Sequence, residues 1–438
     1  MKRIGLVLWI SAIGLSQTHV EVDLVGERIE KSNIAVPDFA LLERSGMYDE
    51  AWRTINEVLR NDLIYSGFFN VLSESRIRLI RSPHIGPIDF EEWGSIEAKH
   101  LVVGSIKNAE GRMNVEVRVF EVATKQHIIA KAFFTKPELA RKTAHVIADE
   151  IMLHLRNIQF ASSKIIYTRE RSRTTPDGER PIKEIYMMDY DGFHPIPLTE
   201  GGIALSPSAT VSGNNTLISY CVYEKAYTFN ASYGLYYKPS LTARPVVLFT
   251  DQDRKASTPA LSPDGRKVAF SISDEGNVDI FVMNLDGSDL LRLTRHPGVD
   301  TNPAWAPGGN SLLFTSDRTG SPQIYQMDAD GLNLRRVTYD YDYCDSAVWN
   351  PHYDYISFVS RFENDFDIFI MDMKTQKTYR VTRFEGSNED PSWGPDGERL
   401  VFCSNRTGSW QLYMVNRTGE NLTQLTRSGN NRNPSWIP

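Results

Sequence analysis

A proline returns every 44 residues through the second half of the chain. Pro263, Pro307, Pro351 and Pro395 stand in LSPDGRKVAF, WAPGGNSLLF, WNPHYDYISF and WGPDGERLVF, and Pro438 follows after 43. In a strand-rich sequence a period in the low forties is that of a propeller blade, a unit that buries its apolar faces only against its neighbours.

Each repeat divides into four strands, here lettered A to D. In the clearest, NPAW (302–305) is strand A, and the turn APGG leads to SLLFTS (311–316) as strand B. IYQMD (324–328) is strand C, and after the turn ADG comes LRRVT (334–338) as strand D. β-Branched and aromatic residues at period two, cut by Gly, Pro and Asp, give strands and hairpins. In SPDG the proline presets φ, and the glycine accepts the positive φ that starts a bulge. No helical periodicity of useful length occurs after residue 160, so this half is all-β.

Strand C counts the blades: IYMMD (185–189), LYYKP (235–239), IFVMN (280–284), IYQMD (324–328), IFIMD (368–372) and LYMVN (412–416). The second is the weakest, since its turn LSPSATVSGNN is degenerate and Pro207 precedes Pro263 by 56. The first repeat begins at KIIYTRE (164–170) with no strand A before it, and the chain ends on NPSWIP (433–438), a strand A with nothing after it. The expected fold is a six-bladed β-propeller closed by the C-terminal strand, which removes the free edges.

The first half differs. KRIGLVLWISAIGLS (2–16) has two basic residues and a short apolar run of secretory type. It is too short for a comfortable membrane span, and no other stretch approaches ~20 apolar residues. A signal peptide is expected over 1–20, cleaved between 16 and 20, although THV before Glu21 is a poor small-residue site. A tail (21–33) and an α+β domain (34–157) then precede the propeller (158–438). In that domain IAVPDF (34–39) reads as a strand, and EAWRTINEVLRNDLIYSG (50–67) reads as a helix with Ile55, Val58, Leu59 and Leu63 on one side. HLVVGSI, NVEVRVFEV and HIIAKAFF form a three-stranded meander, and ELARKTAHVIADEIMLHL (138–155) forms a second amphipathic helix.

Composition and motifs exclude several classes. A net charge of −7 argues against nucleic-acid binding. Cys221, Cys344 and Cys403 are odd in number and widely spaced, so neither a disulfide framework nor a zinc site is implied. Cys403 holds the place of Thr315 in strand B and reads as a small core residue. There is no G-x-S-x-G, H-E-x-x-H, P-loop or G-x-G-x-x-G motif, and six of the nine histidines precede the propeller. The D-x-D-G turns at Asp189/Asp191 and Asp328/Asp330 lack the third acid and distal glutamate of a calcium loop and read as turn chemistry. RERSRTTPDGERPIKE (169–184) reads as a solvated loop, with an anionic partner as the alternative.

Variation concentrates on the loops from strand D to the next strand A, as expected of a recognition face around the channel mouth. Asp300, Asp345, Glu389 and Asp390 read as lying just before strand A in three successive blades, an acidic convergence that calls for a cationic partner or a metal ion. Two other readings stay open. A channel hydrolase or lyase would need convergent His, Glu or metal ligands, whereas the inner strands carry Trp, Pro and Asn. A carbohydrate-binding propeller would use Tyr339, Tyr341, Tyr343 and Trp410 as platforms.

A secretory leader, a small α+β domain and SPDG…IY.MD…LT repeats closed by a final PSW strand resemble the TolB family, the periplasmic propellers of the Tol–Pal system. The likeness covers essentially the whole chain, and EVDLV at the mature start is similar to the family's. The degenerate second blade and the poor cleavage site depart from its pattern. The resemblance implies a periplasmic protein that is neither an enzyme nor membrane-spanning, with no cofactor and with a calcium ion in the channel left open. Implied partners are the lipoprotein Pal on the propeller face and TolA on the tail, with other outer-membrane or peptidoglycan-associated proteins beyond them. The implied role is support of outer-membrane invagination during division and of outer-membrane integrity. The family's Pal-contact loop falls on Arg254, Lys255, Ser257 and Thr258, and its counterpart in the next blade on Thr301 and Asn302, with Asp345 and Asp390 farther round the same face. The TolA segment falls on Glu21, Val22, Asp23, Leu24 and Val25.

Overall fold

Each repeat folds as a four-stranded antiparallel sheet, and six such sheets form the propeller. The computed structural model describes residues 30–43, 46–81, 86–175, 178–200, 202, 204–212, 215–224, 232–383 and 386–438. The signal peptide and the proposed TolA segment lie outside the described residues. Strand B is buried on both faces between neighbouring blades, so SLLFTS (Ser311–Ser316) and RLVFCS (Arg399–Ser404) are buried at every position. The glycines of the A–B turns, Gly265, Gly309 and Gly397, take φ of +66°, +68° and +68°, as the turn sequence requires.

Strand A carries a bulge in every blade, and this shifts the boundaries expected from sequence. It spans Asp300–Trp305 in blade 4, Cys344–Trp349 in blade 5 and Asn388–Trp393 in blade 6. The pairing to strand B slips between Thr301 and Ala304, between Asp345 and Val348, and between Glu389 and Ser392. The acids expected just before strand A therefore lie inside it: Asp300, Asp345 and Glu389 precede the slip, and Asp390 sits in the bulge itself. A bulge places an extra residue against the partner and breaks the period-two pattern that marks a strand in sequence. The D strands are shorter than expected: LRRVT contributes only Arg335–Arg336.

The C-terminal strand, Asn430–Ile437, pairs antiparallel with Lys164–Glu170 and supplies the inner strand of blade 1. Trp436 is buried, and its indole N–H donates to Ser163 Oγ at 2.8 Å. The ring closes through this strand.

The N-terminal part runs β1 (Ser32–Ala35), β2 (Ala40–Leu41), α1 (Gly46–Tyr65), β3 (Phe69–Val71), α2 (Glu74–Ile77), α3 (Phe90–Ser95), β4 (His100–Ala109), β5 (Arg112–Glu121), β6 (Gln126–Thr135) and α4 (Ala140–Arg156). Both long helices and the meander are where periodicity puts them. The sheet order is β3-β1-β4-β5-β6, with β2 added on β4. β3, the short parallel neighbour of β1, has too few residues to show a period.

This part is fused to the propeller through a shared apolar core. Ile55, Leu59 and Ile151 belong to the same buried cluster as Tyr167, Met188, Val401 and Trp436. Arg399 of blade 6 is 1% exposed, pairs with Asp396, and donates to the carbonyls of Tyr65 and Ser66 at the C-terminus of α1, where the helix dipole favours a cation. Its guanidinium lies 3.7 Å from the centre of the Phe160 ring. Asp149 of α4 accepts the backbone N–H groups of Phe160, Ala161 and Ser162 at 2.8, 2.7 and 2.8 Å, which fixes the connecting segment.

Candidate functional site

The bulges build the channel lining. In each blade one residue of strand A takes left-handed φ: Ser206 (+51°), Thr258 (+45°), Asn302 (+51°), Ser346 (+54°), Asp390 (+54°) and Asn433 (+50°). Each is followed by a buried proline or alanine, namely Pro207, Pro259, Pro303, Ala347, Pro391 and Pro434. The left-handed residue and the one before it are at least partly exposed in every blade, and in blades 3 to 6 and the closing strand they are polar. The result is a polar belt at the start of the innermost strands.

The belt contains six of the eight residues expected to form the partner face. Thr258 Oγ1 lies 2.8 Å from Ser271 Oγ and 3.5 Å from Thr301 Oγ1, and it accepts the N–H of Asn302 at 3.3 Å. Asn302 Nδ2 donates to Asp345 Oδ1 at 2.8 Å, joining blade 4 to blade 5. Asp345 also accepts from Thr315 Oγ1 at 2.7 Å and from Tyr343 OH at 3.3 Å. Asp390 accepts from Asn433 Nδ2 at 3.1 Å and from Cys403 Sγ at 3.3 Å, joining blade 6 to the closing strand. Cys403 holds in strand B of blade 6 the place of Thr315 in blade 4, but its bond stays within the blade, whereas Thr315 reaches Asp345 of blade 5. Ser257 sits beside Thr258 on the blade-3 bulge. Arg254 and Lys255 stand at the rim: Arg254 is paired with Asp251 at 2.8 Å, and Lys255, exposed, opens strand A.

The acids are not a bare cluster. Asp300 is fully buried and held by Arg318 through both carboxylate oxygens, at 2.9 and 2.8 Å, so it belongs to the core and not to a loop tip. Arg432 pairs with Glu389 and approaches Asp390 at 3.9 Å. Burial pushes the carboxyls of Glu389 and Asp390 up, against the pull of Arg432 and with Asp345 adding to the rise. Among the described residues the hydrogen-bond donors to Asp345 are all neutral, which makes it the belt carboxylate suited to an added cation.

The aromatic platform that the carbohydrate-binding alternative would use does not assemble. Tyr341 packs edge-on against Phe358 and Phe369, Tyr343 packs against Phe366, and Trp410 lies under Arg432 at 4.0 Å. Tyr339 alone of the four is strongly exposed, at 65%. Among the described residues no histidine joins the belt. The D-x-D-G acids are taken up locally: Asp328 by Asn333 at 2.6 Å and Asp330 by the N–H of Leu332 at 3.0 Å. Asp189 and Asp191 do more than shape a turn, since both meet Arg141 of α4.

A second feature opens at the other end of the molecule. A groove of about 770 Å³ runs between α4 and blades 5 and 6, walled by Arg156, Ile158, Tyr353, Glu398 and Arg417. Glu30, the first described residue, is part of its wall. Sequence reasoning missed this groove because its walls are far apart in the chain and carry no shared motif.

The sequence matches the TolB beta propeller domain over residues 158–438 and the TolB amino-terminal domain over residues 20–128. The chain belongs to the TolB family. Its fold is that of the crystal structure of TolB from Acinetobacter baumannii, at 23% identity, over 93% of this chain and 97% of that one, with a TM-score of 0.78. Hydrazine synthase of Kuenenia stuttgartiensis shares the propeller more loosely, at 13% identity over 63% of this chain and 46% of that one, with a TM-score of 0.51. TolB-family propellers are non-enzymatic periplasmic proteins of the Tol–Pal system. Among the described residues no helix is long and apolar enough to cross a membrane.

Proposed function

We propose that this protein is the adaptor of a periplasmic Tol–Pal system, holding Pal at the channel mouth and TolA through residues 21–25, and that it serves outer-membrane invagination at division and outer-membrane integrity. The observation that carries the reading is the belt, which brings Ser257, Thr258, Thr301, Asn302, Asp345 and Asp390 from four blades into one ring. Half-buried polar groups already held in place lose little freedom when a partner lands on them. Arg and aromatic pairs rim the same strands, with Arg361 over Tyr343 at 5.6 Å and over Phe366 at 5.3 Å, and such side chains anchor protein interfaces. The reading requires no cofactor, and a channel calcium ion would sit against Asp345.

The double substitution Lys255→Glu with Ser257→Arg reverses charge at the rim and adds bulk beside the blade-3 bulge. Calorimetry against purified Pal should show affinity lowered more than tenfold, over ~1.4 kcal/mol, with the melting temperature kept. Unchanged affinity would move the Pal site off this face.

A further inference from the structure

The interface between α4, α1 and blade 1 contains a buried polar cluster that the partner sites do not use. Asp62 of α1 is fully buried and accepts from Tyr190 OH at 2.6 Å, while its other carboxylate oxygen faces His145 Nδ1 at 2.8 Å. His145 of α4 is 2% exposed, and its Nε2 has no hydrogen-bond partner but faces Asp191 Oδ2 at 3.9 Å. Asp191 and Tyr190 come from the turn that follows strand C of blade 1, so the cluster spans both halves of the molecule. Asp62, His145 and Asp191 also lie within the reach of a shared metal ion, but Arg141 already holds Asp191 and the trio reads as an ion network.

The charges show what the network lacks. Three carboxylates face it, Asp62, Asp189 and Asp191, against the two fixed cations Arg141 and Lys164, while buried Arg399, which also acts on Tyr190, is matched by its own partner Asp396. His194 touches Asp189 from the solvent side at 2.9 Å. Both ring nitrogens of His145 point at carboxylates, and only a doubly protonated ring donates to both. A singly protonated ring that donates to Asp62 leaves a buried lone pair facing a carboxylate, an arrangement with no compensating bond. One added proton balances the cluster and turns the Nε2 lone pair into an N–H that faces Asp191 as an ion pair at 3.9 Å.

We propose that packing of the N-terminal domain on the propeller is proton-linked through Asp62, His145 and Asp191, the packed state holding one proton more than the separated state. Burial raises the Asp62 carboxyl, which acts in the same direction, and the proton belongs to the coupled cluster as a whole. The sign follows from linkage: the state that binds more protons is favoured as pH falls, so the interface tightens in acid and loosens as pH rises. The interdomain groove lies along the same junction, so the proton count also governs how firmly its walls are held.

Hydrogen exchange of the full chain from about pH 6 to about pH 8, corrected for intrinsic rates, tests this over the range where imidazoles titrate. The expected result is at least about tenfold faster opening of residues 140–163 at the higher pH in the native chain. In His145→Gln, exchange there should be fast and independent of pH. Nitrogen NMR of histidine-labelled protein should show the His145 ring doubly protonated at the lower pH. Opening that does not change with pH would overturn the proposal. So would a pH dependence that survives in His145→Gln, or a ring that stays singly protonated throughout.

Discussion

Asn302 shows how one residue carries both backbone and recognition chemistry. Its φ of +51° is disfavoured for a side chain with Cβ, and Asn is among the residues that visit it most readily. Its side-chain amide then bridges two blades by donating to Asp345 and to Ser346 Oγ at 3.3 Å. Asn302→Ala keeps the left-handed requirement and removes the bridge, leaving Asp345 with one donor fewer. The expected cost is ~1–3 kcal/mol, read from chemical denaturation, with Pal affinity falling as well because the ring is cut. If Asn302→Ala were as stable as the native chain, the belt would not be a mechanical unit. None of this was legible residue by residue. The sequence shows Asn302 before a proline, but a left-handed residue inside a strand leaves no periodic trace, and only the recurrence of the same break in every blade identifies it.

At the scale of elements, legibility follows length and burial. The B and C strands repeat a long apolar pattern and stand out, whereas strand D is only two or three residues in blades 3 to 6 and takes its place from its neighbours. The closing strand was readable from a mismatch at the two ends of the repeat array. It supplies Trp436 to a core shared with the N-terminal helices, so its loss strikes both halves of the molecule. Trp436→Ala removes a large buried ring and the bond to Ser163, and should cost ~3–5 kcal/mol. Deleting 433–438 should leave residues 164–166 as a bare edge and broaden or lower the thermal transition. A truncated chain that melts cooperatively at the native temperature would mean that the ring closes without this strand.

For the whole molecule the question is how two ends communicate. The belt lies at the start of the inner strands, and the groove that Glu30 helps to wall lies between α4 and blades 5 and 6. Blade 6 spans the distance: strand B offers Cys403 to the belt through Asp390 and Arg399 to the end of α1. Sequence periodicity could not show this junction, because Arg399 reads as one more polar residue until Tyr65 and Ser66 are placed against it. The tail EVDLVGERIEKSN alternates Val22 and Leu24 with Glu21 and Asp23, which suits an extended segment able to lie against its own protein or to add a strand to a partner's sheet edge. In the proposed function Pal decides between these fates, which requires that Pal bind the two tail states with different affinity. Pal and TolA must then change each other's binding by the same factor. Removing residues 21–25 should abolish binding of the TolA C-terminal domain, leave the melting temperature unchanged, and alter Pal affinity only modestly, since the belt is left intact. Titration of the shortened protein against that domain is decisive: full-strength binding would assign TolA to another surface and reduce the tail to an ordinary frayed terminus.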